Sequence, residues 1–311
     1  MLQILTSLLI LLNPVIAFFA PSHVPIQDAP KIEAAFTNLD DYKLPLSENI
    51  FLASQLVPSY PIRNWNTPDP QITAKIALVF ETSRQKILWQ KDGLRESRPI
   101  ASLTKLMTAV IAKEIMLPDT PITLAPEDLL VEGHHQNLQA GDFLSLEEAF
   151  YLLLVSSDNS IAQALSRTQT TEPEFIAKMN QKANALGMTR TTFSNASGLN
   201  GNLSTPADLF LLARYINQNH PDIWSISAQP NITIITRAGK TLELKNTNAL
   251  IGKVPGLIGG KTGYTPQAAG SLLLVFEVGE ERLVSVVLVS SDRFGDTQKI
   301  ISWYWQNYFN Q

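Results

Sequence analysis

Apolar and polar positions follow two different rhythms along this chain. Near its start, "ITAKIALVFE" (72–81) and "KILWQK" (86–91) are short apolar runs separated by the polar "TSRQ", which predicts two strands joined as a hairpin. From about Ser102 to Met116 the rhythm becomes helical, with Leu103, Leu106, Met107, Val110 and Ile111 on one broad face at 100° per residue. Helical spacing continues to about Gln218. It includes "SLEEAFYLLLVSS" and "EPEFIAKMNQKANALG", the second ending at Gly187 as a helix C-terminus would. Strand-like runs then return: "NITIITRAG" with "KTLELKN", and "AGSLLLVFEV" with "ERLVSVVLVSS", turning at "GEE". An amphipathic helix from roughly Asp296 to Tyr308 closes the pattern. Strands, a helical block, strands and a last helix predict an α+β domain whose antiparallel sheet is completed by both ends of the chain, with the helical insert beside it.

The first 71 residues do not share that pattern. "MLQILTSLLILLNPVIAFFA" is an apolar run whose first following basic residue is Lys31, and Val15-Ile16-Ala17 provides a small-residue cleavage site. Residues 1–20 therefore read as an export signal or an N-terminal membrane anchor, which places the protein outside the cytoplasm. Eight prolines between Pro21 and Pro70, separated by polar spacers, make 21–72 an extended linker, so that the folded domain spans 73–311. A net charge of −4 argues against a nucleic-acid partner held by phosphate neutralisation. With no cysteine, thiolate nucleophiles and cysteine-based metal sites are excluded. His134 and His135 lie together in the polar "EGHHQNLQAGD", where a solvated loop is expected rather than a metal site.

One residue breaks the helical pattern. In "PIASLTKLMTAV", Lys105 is the one charge between Ile100 and Ala112, on a side lined by the small residues Ala101, Thr108, Ala109 and Ala112. A covered ammonium is costly, and burial lowers its pKa, which turns a lysine into a general base. The i, i+3 spacing brings Lys105 to Ser102, near free N–H groups at the start of the helix. The S-x-x-K pattern is short, however. Ser83 to Lys86 matches it as well, in a hairpin turn where no chemistry is expected. Two more elements add context. Ser157-Asp158-Asn159 interrupts an apolar run, where a helix break with a capping side chain is the ordinary explanation. Lys261-Thr262-Gly263, inside "GLIGGKTGYT", enters a strand between glycines that let a ligand approach the backbone, and Lys, Thr and exposed N–H groups there suit a carboxylate.

S-x-x-K, S-x-N and K-T-G in this order are the set found in penicillin-binding proteins and class A β-lactamases. Together with "RPIASLTKLMTA", "LQAGDFLSLEEAFYLLLVSSDNSIAQAL", "NALGMTRTTFSNASGLNG", "STPADLFLLARYI" and "GLIGGKTGYTPQAAGSLLL", they make residues 73–311 resemble the D-alanyl-D-alanine carboxypeptidase family of low-molecular-mass penicillin-binding proteins. The resemblance implies a β-lactamase/transpeptidase-like fold and a serine acyl-transfer enzyme acting on peptidoglycan stem peptides ending in D-Ala-D-Ala, with β-lactams as inhibitors and no metal or cofactor. It implies that Ser102 attacks the penultimate D-Ala carbonyl while Lys105 takes its proton, and that Ser157 relays a proton to the leaving amine. Asn159 would hold Lys105 and bind the substrate backbone. Lys261 and Thr262 would meet the terminal carboxylate, with Gly263 and Tyr264 beside them, and repulsion from Lys261 would help keep Lys105 neutral. The N–H groups of Ser102 and Tyr264 would form the oxyanion hole.

The middle residue of the second motif, Asp158, matches class A β-lactamases, whereas this family more often has glycine there. A β-lactamase also needs a deacylating glutamate. Glu172 and Glu174 in "TEPEF" come only 15 residues after Ser157, in a helical pattern, and no glutamate lies between Gln181 and His220. The chain ends one helix after its last strand, without the C-terminal β-rich domain of the larger carboxypeptidases. Single-domain relatives include DD-endopeptidases, which cut cross-links with the same residues. Carboxypeptidase is therefore the leading reading and endopeptidase the alternative, ahead of a β-lactamase or a wall-binding module without turnover.

Overall fold

The computed structural model describes residues 63–133 and 137–308. The N-terminal apolar run, most of the proline-rich stretch and the His134-His135 pair lie outside the described residues. No described helix is long and apolar enough to cross a membrane.

Five antiparallel strands form the main sheet: β1 (Ile76–Glu81), β2 (Lys86–Lys91), β9 (Leu257–Thr265), β10 (Ala269–Val278) and β11 (Glu281–Ser290). Their spatial order is β2-β1-β11-β10-β9, so the first hairpin pairs with the last strand and both ends of the chain complete one sheet. The remaining strands make two-stranded pairs: β3 (Arg98–Pro99) with β6 (Leu203–Ser204), β4 (Ile122–Thr123) with β5 (Phe143–Leu144), and β7 (Ile232–Ile235) with β8 (Thr241–Leu244).

The central strands carry unbroken apolar runs because both faces of the sheet are covered. Ile76, Leu78, Leu273, Val275, Val284 and Val286 face the helical block, while Ala77, Val79, Leu272, Leu274, Phe276 and Val287 face the last helix. The helices are α1 (Thr104–Ile115), α2 (Leu146–Leu154), α3 (Asn159–Thr168), α4 (Glu172–Ala185), α5 (Pro206–Asn219), α6 (Asp222–Ser227) and α7 (Arg293–Tyr308). Polar signals set their starts. Ser145 and Thr171 make capping boxes with Glu148 and Glu174, and Asp158 and Thr205 cap α3 and α5. Gly187, at φ +80°, ends α4 where the sequence places that end.

Helix α1 is buried on every side from Thr104 to Ala112, with α2, α3, α4 and α5 packed around it. Each fully covered leucine, methionine or isoleucine there contributes roughly 1.5–3 kcal/mol, enough to hold the helix in place around a lysine. The sequence expectation of a helix beginning at Ser102 needs one correction. Ala101–Leu103 is a 3-10 turn and the α-helix begins at Thr104. Residues three apart eclipse in a 3-10 turn, so Ser102 and Lys105 stay on one side. The last helix also begins three residues earlier than expected, at Arg293.

Candidate active site

Lys105 is wholly inaccessible to water, and its Nζ has three acceptors: Ser102 Oγ at 3.0 Å, Asn159 Oδ1 at 2.5 Å and the carbonyl of Ser197 at 2.7 Å. A carbonyl and an amide oxygen can only accept, so in a neutral amine these two take both N–H bonds and leave the lone pair for Ser102. The orientation of Asn159 is set independently, because its Nδ2 donates to the carbonyl of Glu132 at 2.6 Å and its N–H to that of Gly133 at 3.1 Å. Burial brings the Lys105 amine down from 10.5 to about 7, opposed by the negative charge of Asp158.

The second motif sits at the break between α2 and α3. Ser157 has φ +62°, a conformation that costs a non-glycine residue energy and is often found at functional sites. Lys261 Nζ donates to Ser157 Oγ at 2.8 Å and to the carbonyl of Thr262 at 3.1 Å. Lys261 is 1% exposed, and burial, then the charges of Lys105 and Arg293, hold it well below the usual amine range. Both lysine amines are thus held below the usual amine range, with burial the largest cause in each.

Lys261, Thr262, Gly263 and Tyr264 lie within β9 rather than at its start. Strand β9 is the edge of the main sheet, bound to β10 on one side only, and an edge strand has backbone groups outside the ladder that can meet other partners. That edge runs along the Ser102 turn. A Cβ on Gly263 would stand 2.8 Å from the carbonyl of Ile100 and 3.2 Å from the N of Ser102, so only glycine lets the strand lie this close. Thr262 Oγ1 pairs with Thr247 Oγ1 at 2.7 Å, and the Tyr264 side chain is 66% exposed at the mouth.

The structure thus brings all eight residues singled out by the sequence into one place, and it adds two contributions that sequence reasoning missed. The first is the segment 194–202. It supplies the Ser197 carbonyl to Lys105, its Ala196 carbonyl accepts from Thr108 Oγ1 at 2.6 Å, and Asn202 Nδ2 donates to Thr104 Oγ1 at 2.9 Å. Its one signal was the unusual "TTFSNASGLNG" itself. The second is Arg293, half-buried at the start of α7, whose Nη1 donates to the carbonyl of Gly263 at 3.3 Å. Nothing in the sequence around it pointed to the site. The rejected matches have local structural roles. Ser83 bonds Glu81 within the β1–β2 turn, Glu174 closes the capping box of α4, and Glu172 accepts from Gln163.

Comparison with known proteins identifies the family. The family model for D-alanyl-D-alanine carboxypeptidase matches residues 64–292. A D-alanyl-D-alanine endopeptidase of Haemophilus influenzae is 35% identical over 207 residues, covering 65% of this chain and 70% of that protein. A D-alanyl-D-alanine carboxypeptidase of Bacillus subtilis is 28% identical over 76% of this chain, which spans 63% of that protein's length. Among solved structures, penicillin-binding protein D2 of Listeria monocytogenes in its ampicillin-bound form superposes with a TM-score of 0.68 at 30% identity, over 76% of this chain and 98% of that one.

Proposed function

The chain belongs to the D-alanyl-D-alanine carboxypeptidase family, and from that premise we propose how its own residues perform serine acyl transfer on a peptidoglycan stem peptide. The observation that carries the proposal is the Lys105 amine, whose N–H bonds are taken by Asn159 and the Ser197 carbonyl so that its lone pair faces Ser102. Ser102 Oγ attacks the carbonyl of the penultimate D-Ala as its proton passes to Lys105. The resulting oxyanion lies between the N–H groups of Ser102 and Tyr264. Collapse breaks the peptide bond. The proton held at Lys105 reaches the leaving amine through Ser157, which is bonded to Lys261. Water then hydrolyses the ester, with Lys105 again as base.

The substrate's terminal carboxylate is placed by Lys261, Thr262 and Arg293 along β9. Its charge would raise the proton affinity of Lys261, and a protonated Lys261 repels a proton from Lys105. Substrate binding itself would thus strengthen the repulsion of Lys105 by Lys261. β-Lactams, whose ring amide occupies the same place, acylate Ser102 by the same route. The family's substrate places the reaction on the outer side of the cytoplasmic membrane, and the apolar run of residues 1–20 serves as export signal or tether.

Carboxypeptidase action is the leading reading. Endopeptidase action is the second, favoured by the similarity to the Haemophilus protein. Labelling with a fluorescent penicillin tests the acyl-enzyme: wild type should label and Ser102→Ala should not. Label on the alanine variant would overturn the assignment. Mass spectrometry of digested muropeptides separates the two activities. Loss of one D-Ala from pentapeptides identifies a carboxypeptidase, and conversion of cross-linked dimers to monomers an endopeptidase.

A further inference from the structure

The short segment Asn246-Thr247-Asn248 follows β8 and bridges the second and third motifs. Its asparagines hold it in place. Asn246 Nδ2 donates to the carbonyls of Ser227 at 3.0 Å and Gln229 at 2.5 Å, and Asn246 Oδ1 accepts from Asn248 N at 2.8 Å. Asn248 Oδ1 in turn accepts from Leu250 N at 3.1 Å. The same anchor reaches the edge strand, since Ser227 Oγ accepts from Gly260 N at 3.0 Å, one residue before Lys261. Thr247 itself meets both motifs. Its N–H donates to the carbonyl of Val155 at 3.0 Å, two residues before Ser157, and its Oγ1 lies 2.7 Å from Thr262 Oγ1.

The segment does not need the Thr247 hydroxyl. Its backbone bond to Val155 is independent of the side chain, and the asparagines tie down the residues on either side. Thr262, by contrast, depends on it. It is 4% exposed, and among the described residues Thr247 is the one hydrogen-bond partner of its Oγ1. A hydroxyl has one proton to give, and a carboxylate can only accept. When the substrate's terminal carboxylate meets Thr262, the Thr262 proton must therefore go to the substrate, and the bond between the two threonines persists only with Thr247 as donor. We propose that Thr247 is a positioning residue for carboxylate recognition, donating to Thr262 so that the Thr262 hydroxyl aims its proton at the substrate. This rests on the reading in which Thr262 binds that carboxylate.

The hydrogen bonds from Thr247 to Thr262 and from Thr262 to the carboxylate run in one direction. Each polarises the next, and the last is made to a charged acceptor, where hydrogen bonds are strongest. A Thr262 hydroxyl already oriented in the empty site also loses less rotational freedom when the ligand arrives. The ligand this arrangement suits carries an anionic carboxylate beside the bond to be opened, as D-Ala-D-Ala peptides and penicillins both do. Thr247 acts on it through Thr262, so its effect belongs to binding rather than to the breaking of that bond.

The test is acylation of the full chain by a fluorescent penicillin, whose concentration dependence separates apparent binding from the limiting rate. Thr247→Val keeps the shape and the backbone bond but removes the hydroxyl. It should weaken apparent binding about fivefold, the size of one hydrogen bond, with the smaller part of any loss in the limiting rate. Thr247→Ser, which keeps a hydroxyl, should restore binding. In a Thr262→Val background, where the second hydroxyl is already gone, Thr247→Val should add nothing. Wild-type binding in Thr247→Val beside weakened binding in Thr262→Val overturns the proposal. So does a Thr247→Val loss that persists in the Thr262→Val background or falls on the limiting rate alone. Thr262→Val that binds as well as wild type, or wild type that does not acylate, would instead sink the reading of the site on which the proposal rests.

Discussion

A lysine at the centre of an apolar helix is unstable unless it stays neutral, and Lys105 couples that instability to its chemistry. Its folded pKa of about 7 lies below the unfolded value of 10.5. Between those values the unfolded chain binds the extra proton, so stability rises with pH across that window. The cost is fully present below about pH 7 and is relieved toward pH 10, roughly 5 kcal/mol from this group. Lys105→Met removes the titrating group. Thermal melts at a series of pH values should show wild type gaining on the variant as pH rises from about 7 to 10. Equal pH slopes would mean that Lys105 is not held neutral by the fold. The same titration sets the activity. Acylation should fall about tenfold for each unit of pH below about 7, as the base becomes protonated, and a rate flat into acid would remove Lys105 from that role.

Local structure supplies what these side chains lack. The 3-10 turn, the strained Ser157 and the edge strand β9 present backbone groups that no residue type announces. Gly198 illustrates the tolerance involved. It has φ +89°, and a Cβ there would stand 2.0 Å from the carbonyl of Ala101, one residue before Ser102. Gly198→Ala should therefore push the segment that holds Lys105 away from the Ser102 turn. We expect a loss of about 2–4 kcal/mol in denaturant melts, from backbone strain and overpacking together, and at least about tenfold slower acylation. A stable variant with normal acylation would show that the segment can move aside. The hairpins and α1 were readable beforehand, since a two-residue or 3.6-residue rhythm is written in side chains. The Ser197 carbonyl was not, because every residue has one.

Across the fold, one buried carboxylate ties together parts of the chain that are far apart in sequence. Asp296, on α7, accepts from Thr73 N, Ala74 N, Thr73 Oγ1 and Ser290 Oγ, joining the approach to β1 with the end of β11. Those bonds hold its pKa below the ordinary aspartate value. Its contribution is present at neutral pH and is lost as pH falls through that lowered pKa. Asp296→Ala leaves buried donors without a partner and should cost about 3 kcal/mol in chemical denaturation at neutral pH. A smaller penalty in acid is expected, and a penalty that does not change with pH would argue that the lost packing matters more than the charge.

From the residues alone came the order of strands and helices, the closure of the sheet by both chain ends, and the chemical types in three motifs. Each of these is carried by side-chain identity and period. The fold decided that Lys261 reaches Ser157, that the Ser197 carbonyl and Arg293 join the site, and that the Asp158 side chain turns into the first turn of α3 while Asn159 reaches Lys105. These depend on which backbone groups and charges meet across tens or hundreds of residues. Burial and distance, which set the strength of every such interaction, exist only once the chain has packed.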